Sequence, residues 1–357
     1  MGEDMAELNL ETVPCLLCES GEYDVLFVGR DLLLGLPGEF TVVKCRSCGF
    51  VYTNPRPTAE SLALYCPSNY YHHYGTQVDT AQPQSPSLMR RLRLAVRNVT
   101  LDSHYGYHLS GWQQVARPVK ALGWIATLPF RAHLRQVPPM KGAADGTARV
   151  LEIGCATGRY LDFLRSLGWE VHGVDIDRDA VQLARDRLGL DVFLGTLEEA
   201  RYPDAYFNAV VMWMVLEHLP DPVGTLQEVH RTLVPKGRLH FSVPNINTVE
   251  IALFGRRWFA WELPRHLSHF TPDSLQRLLE KTRFQLLGVD YPSDAGNLRG
   301  GARYVVRDFQ ASRPGMCSQL LSLFITSKLF EALLKPVACA LALCRQIGRI
   351  TVYAQKV

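Results

Sequence analysis

The stretch LEIGCATG puts Gly154 and Gly158 where an apolar run hands over to a helical one. Glycines at such a junction let a ligand approach bare backbone and the positive end of a helix. Asp175 closes the next apolar run, about 20 residues beyond Gly154, where a carboxylate can accept both hydroxyls of a ribose. Glu152 is a second carboxylate, inside the first run. A dinucleotide fingerprint does not fit, because Ala156 and Arg159 stand where its second and third glycines belong. A separate constellation is formed by Cys15, Cys18, Cys45 and Cys48, two CxxC pairs, the second followed by Gly49. Each pair can set two thiolates on one turn, and two pairs complete a tetrahedral zinc site. Full thiolate ligation leaves no open position, so this metal is expected to be structural. The titratable groups that remain are Glu217-His218 and, in PRHLSHFTP, His266 and His269, all candidates for moving a proton.

The elements that position these groups follow from the hydrophobic pattern. ARVLEIG, WEVHGVD, DVFLG, FNAVVMW and GRLHFSV are short apolar runs, separated by helical patterns such as TGRYLDFLRSLG and RDAVQLARDRLG. Such alternation predicts a doubly wound α/β sheet with parallel strands. Ligands of these sheets bind at the carboxyl ends of the strands, where Gly154, Asp175 and Glu217-His218 all fall. Thr271-Pro272-Asp273 predicts a helix start, a cap residue followed by proline at the first position. Upstream, residues 12–57 read as short strands bracketed by the cysteine pairs. Residues 58–148 read as helices broken by proline and glycine. At the other end, LLSLFITSKLFEALLKPVACALALC is split by Pro336, which predicts a helical hairpin broken at that residue. Cys155, Cys317, Cys339 and Cys344 lie in apolar runs and read as small core residues.

The motifs VLEIGCATGRYLDFL, GVDIDRDAV, GTLEEARYPDAYFNAVVMWMVLEHLPDP and GRLHFSVPN, taken in order, resemble those of class I S-adenosylmethionine-dependent methyltransferases. The resemblance implies a Rossmann-like seven-stranded sheet and S-adenosyl-L-methionine as cofactor. By position, Glu152, Gly154 and Gly158 would hold the methionine end and Asp175 the ribose. Ile176 would pack on the adenine, with Leu197 and Glu198 at its edge, and Trp213 would flank cofactor or acceptor. LEHLPDP is similar to ubiquinone-biosynthesis O-methyltransferases, some of which bind a divalent cation through two glutamates and a histidine; Met214 replaces one of those glutamates. PRHLSHFTPDSL resembles deoxysugar C-methyltransferases, whose histidine base aligns with His266, although Leu263 and Arg265 replace the accompanying tyrosine and glutamate. His266 is the favoured base, with His218 and Glu217 the other candidates. An N-terminal zinc ribbon joined to such a core resembles bacterial methyltransferases of sugars and secondary metabolites. In this layout Tyr70, Tyr71, His72 and His73 would line an acceptor pocket. The domains are then a zinc ribbon (1–57), a helical linker or lid (58–145), the cofactor-binding core (146–290) and a helical insertion with a last strand (291–357).

Composition narrows the partners. The 357 residues carry 38 Lys+Arg against 35 Asp+Glu, a net charge of +3, too small for a whole-protein nucleic-acid binder. Residues 1–80 hold 4 basic and 11 acidic groups, so the ribbon is poorly suited to gripping RNA. Residues 81–149 (10 basic, 2 acidic) and 291–357 (9 basic, 3 acidic) are the segments suited to an anionic partner. LMRRLRLAVRNV interleaves arginine with apolar residues, a pattern compatible with a membrane surface. No apolar run reaches the ~18 residues of a membrane span, and MGEDMAELNLETVP lacks the layout of a secretory signal. The expectation is a cytoplasmic enzyme acting on a small-molecule or glycoconjugate acceptor. Peripheral membrane contact and homodimer formation are expected of its apolar segments. Two rival readings are an RNA methyltransferase and a non-catalytic cofactor-binding scaffold.

Overall fold

The structure is a computed structural model that describes residues 8–66, 88–111, 114–115, 117–131, 134–140 and 148–357. Tyr70, Tyr71, His72 and His73 lie outside the described residues. In the N-terminal region the turn residues around each CxxC pair cut the chain into short strands: β1 (Leu10–Glu11), β2 (Tyr23–Gly29), β3 (Phe40–Cys45), β4 (Val51–Thr53) and β5 (Arg56–Pro57). β1 pairs with β5, and β2, β3 and β4 form an antiparallel meander. The free edge of β4 is taken by Ser268–His269, from the far side of the core. Val43, Phe50 and Tyr52 share one buried cluster with Phe270, Leu275 and Leu278. Residues 8–57 are therefore fused to the core by a strand and by a common interior.

Among the described residues three helices follow, α1 (Ala59–Ala63), α2 (Leu88–Tyr105) and α3 (Arg117–Arg131). The first half of α2 exposes Leu88, Met89 and Leu92, whereas Leu101 and Tyr105 at its end dock on the core. The core then alternates as its sequence pattern predicts: β6 (Arg149–Ile153), α4 (Arg159–Ser166), β7 (Glu170–Asp175), α5 (Arg178–Leu188), β8 (Asp191–Leu194), α6 (Leu197–Ala200), β9 (Phe207–Trp213), α7 (Pro222–Thr232) and β10 (Leu233–Pro244). α8 (Val249–Phe254), β11 (Ser268–His269), α9 (Pro272–Lys281) and β12 (Phe284–Asp290) lead to α10 (Gly296–Ser312), α11 (Met316–Thr326), α12 (Lys328–Leu343) and the last strand, β13 (Arg349–Lys356). Helix starts are local decisions. Asp177, Thr196, Asp221 and Thr271 each accept a hydrogen bond from a first-turn amide, and Pro222 and Pro272 occupy the first turn where no amide is needed.

The seven-stranded sheet runs in the order β12-β13-β10-β9-β6-β7-β8. Only β13 is antiparallel to its neighbours. The chain moves outward in one direction from β6 to β8 and in the other from β9, so a crevice opens between the carboxyl ends of β6 and β9. Two expectations fail in the C-terminal segment. Pro336 does not break the hairpin; it lies inside α12, and the break is at Ser327, whose hydroxyl accepts from the Phe330 amide and so starts a new helix. Cys317, Cys339 and Cys344 are exposed, and of that group only Cys155 is a core residue. Among the described residues no helix is long and apolar enough to cross a membrane.

Candidate functional site

At the carboxyl end of β6, Gly154, Ala156 and Gly158 all have positive φ, at 70°, 45° and 75°. A Cβ on Gly154 would sit 2.4 Å from Val215 Cγ2, and one on Gly158 2.3 Å from Leu190 Cδ1. The glycines are thus required by left-handed backbone and close packing together. Ala156 takes the same conformation with a Cβ, a local strain. The turn is held from the next strand: Asp175 accepts from the amides of Ala156 (2.7 Å) and Asp177 (2.8 Å). Each carboxylate oxygen keeps a second lone pair for a ligand. Burial raises the pKa of Asp175, against the pull of those amides.

Glu152, in register with Gly173 of β7 and Val211 of β9, is buried, and its Oε2 has no hydrogen-bond partner. Burial first, and the nearby Asp175 second, push its pKa well up. The Nε1 of Trp213, at the end of β9, is likewise buried and unpartnered, and its ring meets Tyr160 edge-on at 5.4 Å. Tyr160, which donates to the Gln136 carbonyl, is a wall of this crevice that the sequence reading passed over. Ile176 is 67% exposed beside Asp175, so it is no core residue. Leu197 is different: its side chain is buried in the core. The Glu198 carboxylate is engaged by the Thr225 hydroxyl at 2.9 Å.

Across the crevice, the turn after β9 meets the loop before β11. The Leu267 amide donates to the Glu217 carbonyl (2.8 Å). His218 Nδ1 faces the Arg265 carbonyl at 3.1 Å, and His266 Nδ1 the Ala260 carbonyl at 2.9 Å. Carbonyls only accept, so both Nδ1 atoms carry hydrogen and the neutral rings offer a lone pair at Nε2. The two rings lie 4.6 Å apart. Burial lowers both histidines, His218 to about 3, and keeps them neutral. Glu217 is fully buried with neither carboxylate oxygen hydrogen-bonded, and burial raises it to about 8, so it holds its proton at neutral pH. Donor atoms of Glu217, His218 and His266 lie within 4.8 Å of one another. His269, the other proton-transfer candidate of PRHLSHFTP, sits in β11, where its ring packs on Trp261 and its Nε2 is 3.4 Å from the Thr53 hydroxyl.

The histidine loop is buttressed by a charge pair absent from the sequence reading. Arg265 and Asp31, both 0% exposed in their side chains, meet at 2.5 and 3.1 Å, and Arg265 also donates to the Tyr65 carbonyl. Glu262 stands 3.5 Å from Arg265 Nε and 3.7 Å from His266 Nε2. No local signal marks Asp31, because its partner is 234 residues away.

In the N-terminal region the four cysteines converge as their spacing predicts. Cys15 and Cys48 Sγ are 3.5 Å apart, as are Cys18 and Cys45, and all four lie within 4.8 Å of one another. Backbone bonds close both knuckles, Glu19 amide to Cys15 carbonyl and Gly49 amide to Cys45 carbonyl, with Gly49 at φ 76°. Four thiols at this separation suit one tetrahedral zinc ion.

Residues 124–289 match the family model described as a methyltransferase domain. The chain is 30% identical over 154 residues to the ubiquinone biosynthesis O-methyltransferase of Xanthomonas oryzae, covering 40% of this chain and 64% of that protein. It is 38% identical over 118 residues to a protein of Mycobacterium tuberculosis named a probable S-adenosylmethionine-dependent methyltransferase, covering 32% of this chain and 42% of that one. The chain thus spans less than two thirds of the length of either relative. A solved S-adenosylmethionine-dependent methyltransferase from Archaeoglobus fulgidus aligns with 59% of this chain and 87% of its own at 19% identity and a TM-score of 0.40.

Proposed function

We propose that the chain, whose residues 124–289 match a methyltransferase domain, is a class I S-adenosylmethionine-dependent methyltransferase that acts on a small-molecule, sugar or lipid-linked glycoconjugate acceptor. The observation that carries the reading is a set of buried polar atoms without partners at one edge of the sheet. Glu152 Oε2, Trp213 Nε1 and both carboxylate oxygens of Glu217 sit on strands or turns that border the crevice between β6 and β9. Unpartnered buried polar atoms cost free energy unless a ligand satisfies them.

In this reading Asp175 accepts the ribose hydroxyls with the lone pairs its amide bonds leave over. Glu152, at the base of the Gly154–Gly158 turn, meets the ammonium group, and a cation there would draw its carboxyl back toward ionisation. Ile176 offers its exposed face to the adenine, beside Leu197 and Glu198. When bound, the cofactor supplies a methyl group already activated by sulfonium charge. The protein then has to align the acceptor, exclude water and take away a proton. We assign the last task to His266, whose Nδ1 hydrogen is committed to the Ala260 carbonyl and whose lone pair is therefore on Nε2, with Glu262 3.7 Å away; His218 is the alternative. Glu217, protonated at neutral pH, serves as a hydrogen-bond donor to the acceptor rather than as a base.

We assign zinc to Cys15, Cys18, Cys45 and Cys48 as a structural ion. Nucleic acid is disfavoured as acceptor by the acidic N-terminal region. Calorimetry with S-adenosylhomocysteine tests the cofactor site directly: the wild type should bind, and Asp175→Ala should weaken binding at least tenfold. Failure of the wild type to bind would remove the reading. Incubation with methyl-labelled cofactor and fractionated extract then separates an enzyme from a scaffold, since a scaffold binds but labels nothing.

A further inference from the structure

The segment between β12 and β13 is an insertion at the cofactor-binding edge. β12 ends there at Asp290, and β13, antiparallel, starts from the same edge. α10 roots the insertion beside the histidine loop: Gly300 and Gly301 press against Phe259 and Phe254, and Phe259 adjoins Ala260, whose carbonyl holds His266. From that root α11 and α12 project with most of their apolar side chains uncovered. Met316 (76%), Leu320 (59%), Leu323 (68%), Leu329 (61%), Leu333 (54%) and Leu343 (86%) are exposed, while Ile325 and Ala338 supply the few buried contacts. A patch of this extent on a folded chain marks an interaction surface.

Charge identifies the occupant. From Arg299 to Arg345 the insertion carries 7 basic groups and 2 acidic ones, Asp308 and Glu331. Both acids are paired, Asp308 with Arg257 and Glu331 with Arg299. Arg313 lies between α10 and α11, Lys328 and Lys335 lie on α12, and Arg345 follows it; all four are exposed. A two-fold dimer through this face would bring these cations against their own copies, without acids to offset them. A surface of anionic headgroups over acyl chains matches both the leucines and the cations. Neither helix is long enough to span a bilayer, so the contact lies in the interface plane.

We propose that α11 and α12 form a monotopic anchor that lies on an anionic phospholipid bilayer and brings the acceptor edge of the sheet to the lipid surface. The acceptor is then one that resides in the membrane by an acyl or isoprenoid chain and presents its polar group to His266. This last step rests on the methyl-transfer reading; the membrane contact does not.

Flotation of the full-length protein with vesicles tests the anchor. Wild type should float with phosphatidylcholine–phosphatidylglycerol vesicles and about tenfold less with phosphatidylcholine alone. Leu320→Glu with Leu333→Glu should lower recovery about tenfold or more, and Lys328→Glu with Lys335→Glu several-fold. All four side chains are exposed, and unchanged S-adenosylhomocysteine binding verifies that each variant is folded. The proposal is overturned if wild type stays in solution with the anionic vesicles or if the leucine variant floats as well as wild type. It is equally overturned if sedimentation equilibrium finds a dimer that depends on those leucines in a protein that ignores vesicles. Vesicle binding without S-adenosylhomocysteine binding would leave the anchor standing and remove the methyl-transfer reading instead.

Discussion

At the cofactor end of the crevice, the groups that matter lie mostly between Glu152 and Asp175, on two neighbouring strands and the turn between them, and Asp175 bonds directly to the Ala156 amide. At the histidine end they come from everywhere. Glu217 and His218 follow β9, His266 precedes β11, and the pair that holds the loop joins Arg265 to Asp31 in the N-terminal region. β11 itself completes a sheet whose other strands flank the cysteine cluster. The first end is a local structure that any well-formed β6-β7 unit would carry. The second is an assembly of distant segments, so the integrity of the N-terminal region decides where His266 stands. Under the proposed function, a zinc ion at the four cysteines would then govern catalysis without touching the acceptor.

Breaking the cysteine cluster should have the largest effect, since a structural zinc contributes on the order of 10 kcal/mol to a fold that depends on it. Chelation, or Cys18→Ser, should release the β4-β11 pairing and speed hydrogen exchange at Leu267, Ser268 and His269. S-adenosylhomocysteine affinity should stay within about twofold, because the 154–158 turn is held by Asp175 of the neighbouring strand and not by the N-terminal region. Equal loss at both ends would erase the contrast. Next comes Asp31→Ala, which strands the guanidinium of Arg265 in the interior and should cost about 3–5 kcal/mol in denaturant unfolding. Asp31→Leu combined with Arg265→Met should recover most of that loss; a single variant as stable as wild type would mean the pair supports nothing.

Glu217 offers a pH test of the same end. Its carboxyl titrates near 8 in the folded chain against 4.5 in the ordinary state, because burial disfavours the charge. The protonated form is favoured by folding, so stability is fully present below pH 4.5 and falls as pH rises toward 8. Glu217→Gln should therefore match wild type near pH 4.5 and become progressively more stable than it up to about pH 8, beyond which the gap should stop widening. Parallel pH–stability curves would show that the carboxylate is solvated. The smallest change is expected at the cofactor end. Ala156→Gly relieves a left-handed alanine at φ 45° and should stabilise by about 0.5–1 kcal/mol, with no effect on exchange in the histidine loop.

The two ends also differ in how far they can be read from the chain alone. The strand–helix alternation, the cap at Thr271-Pro272, the glycine turn and the cysteine pairs are marked by residue type and spacing, and the structure has them where the pattern puts them. The hairpin breaks at Ser327, which caps α12, and Pro336 stays within that helix: the loss of one backbone hydrogen bond did not outweigh a continuous helix. The exposure of Cys317, Cys339 and Cys344 was not legible, because an apolar run reads alike whether it is buried or left open.

What the sequence by itself determined is the order of the strands along the chain, the left-handed glycines of the 154–158 turn and the two CxxC knuckles, all marked by residue types a few positions apart. Only the tertiary structure decided that His266 faces His218 rather than His269, that Asp31 neutralises Arg265, and that the apolar helices before β13 emerge at the carboxyl edge of β12. Those outcomes depend on which distant surfaces come into register when the sheet closes, and periodicity carries no record of that.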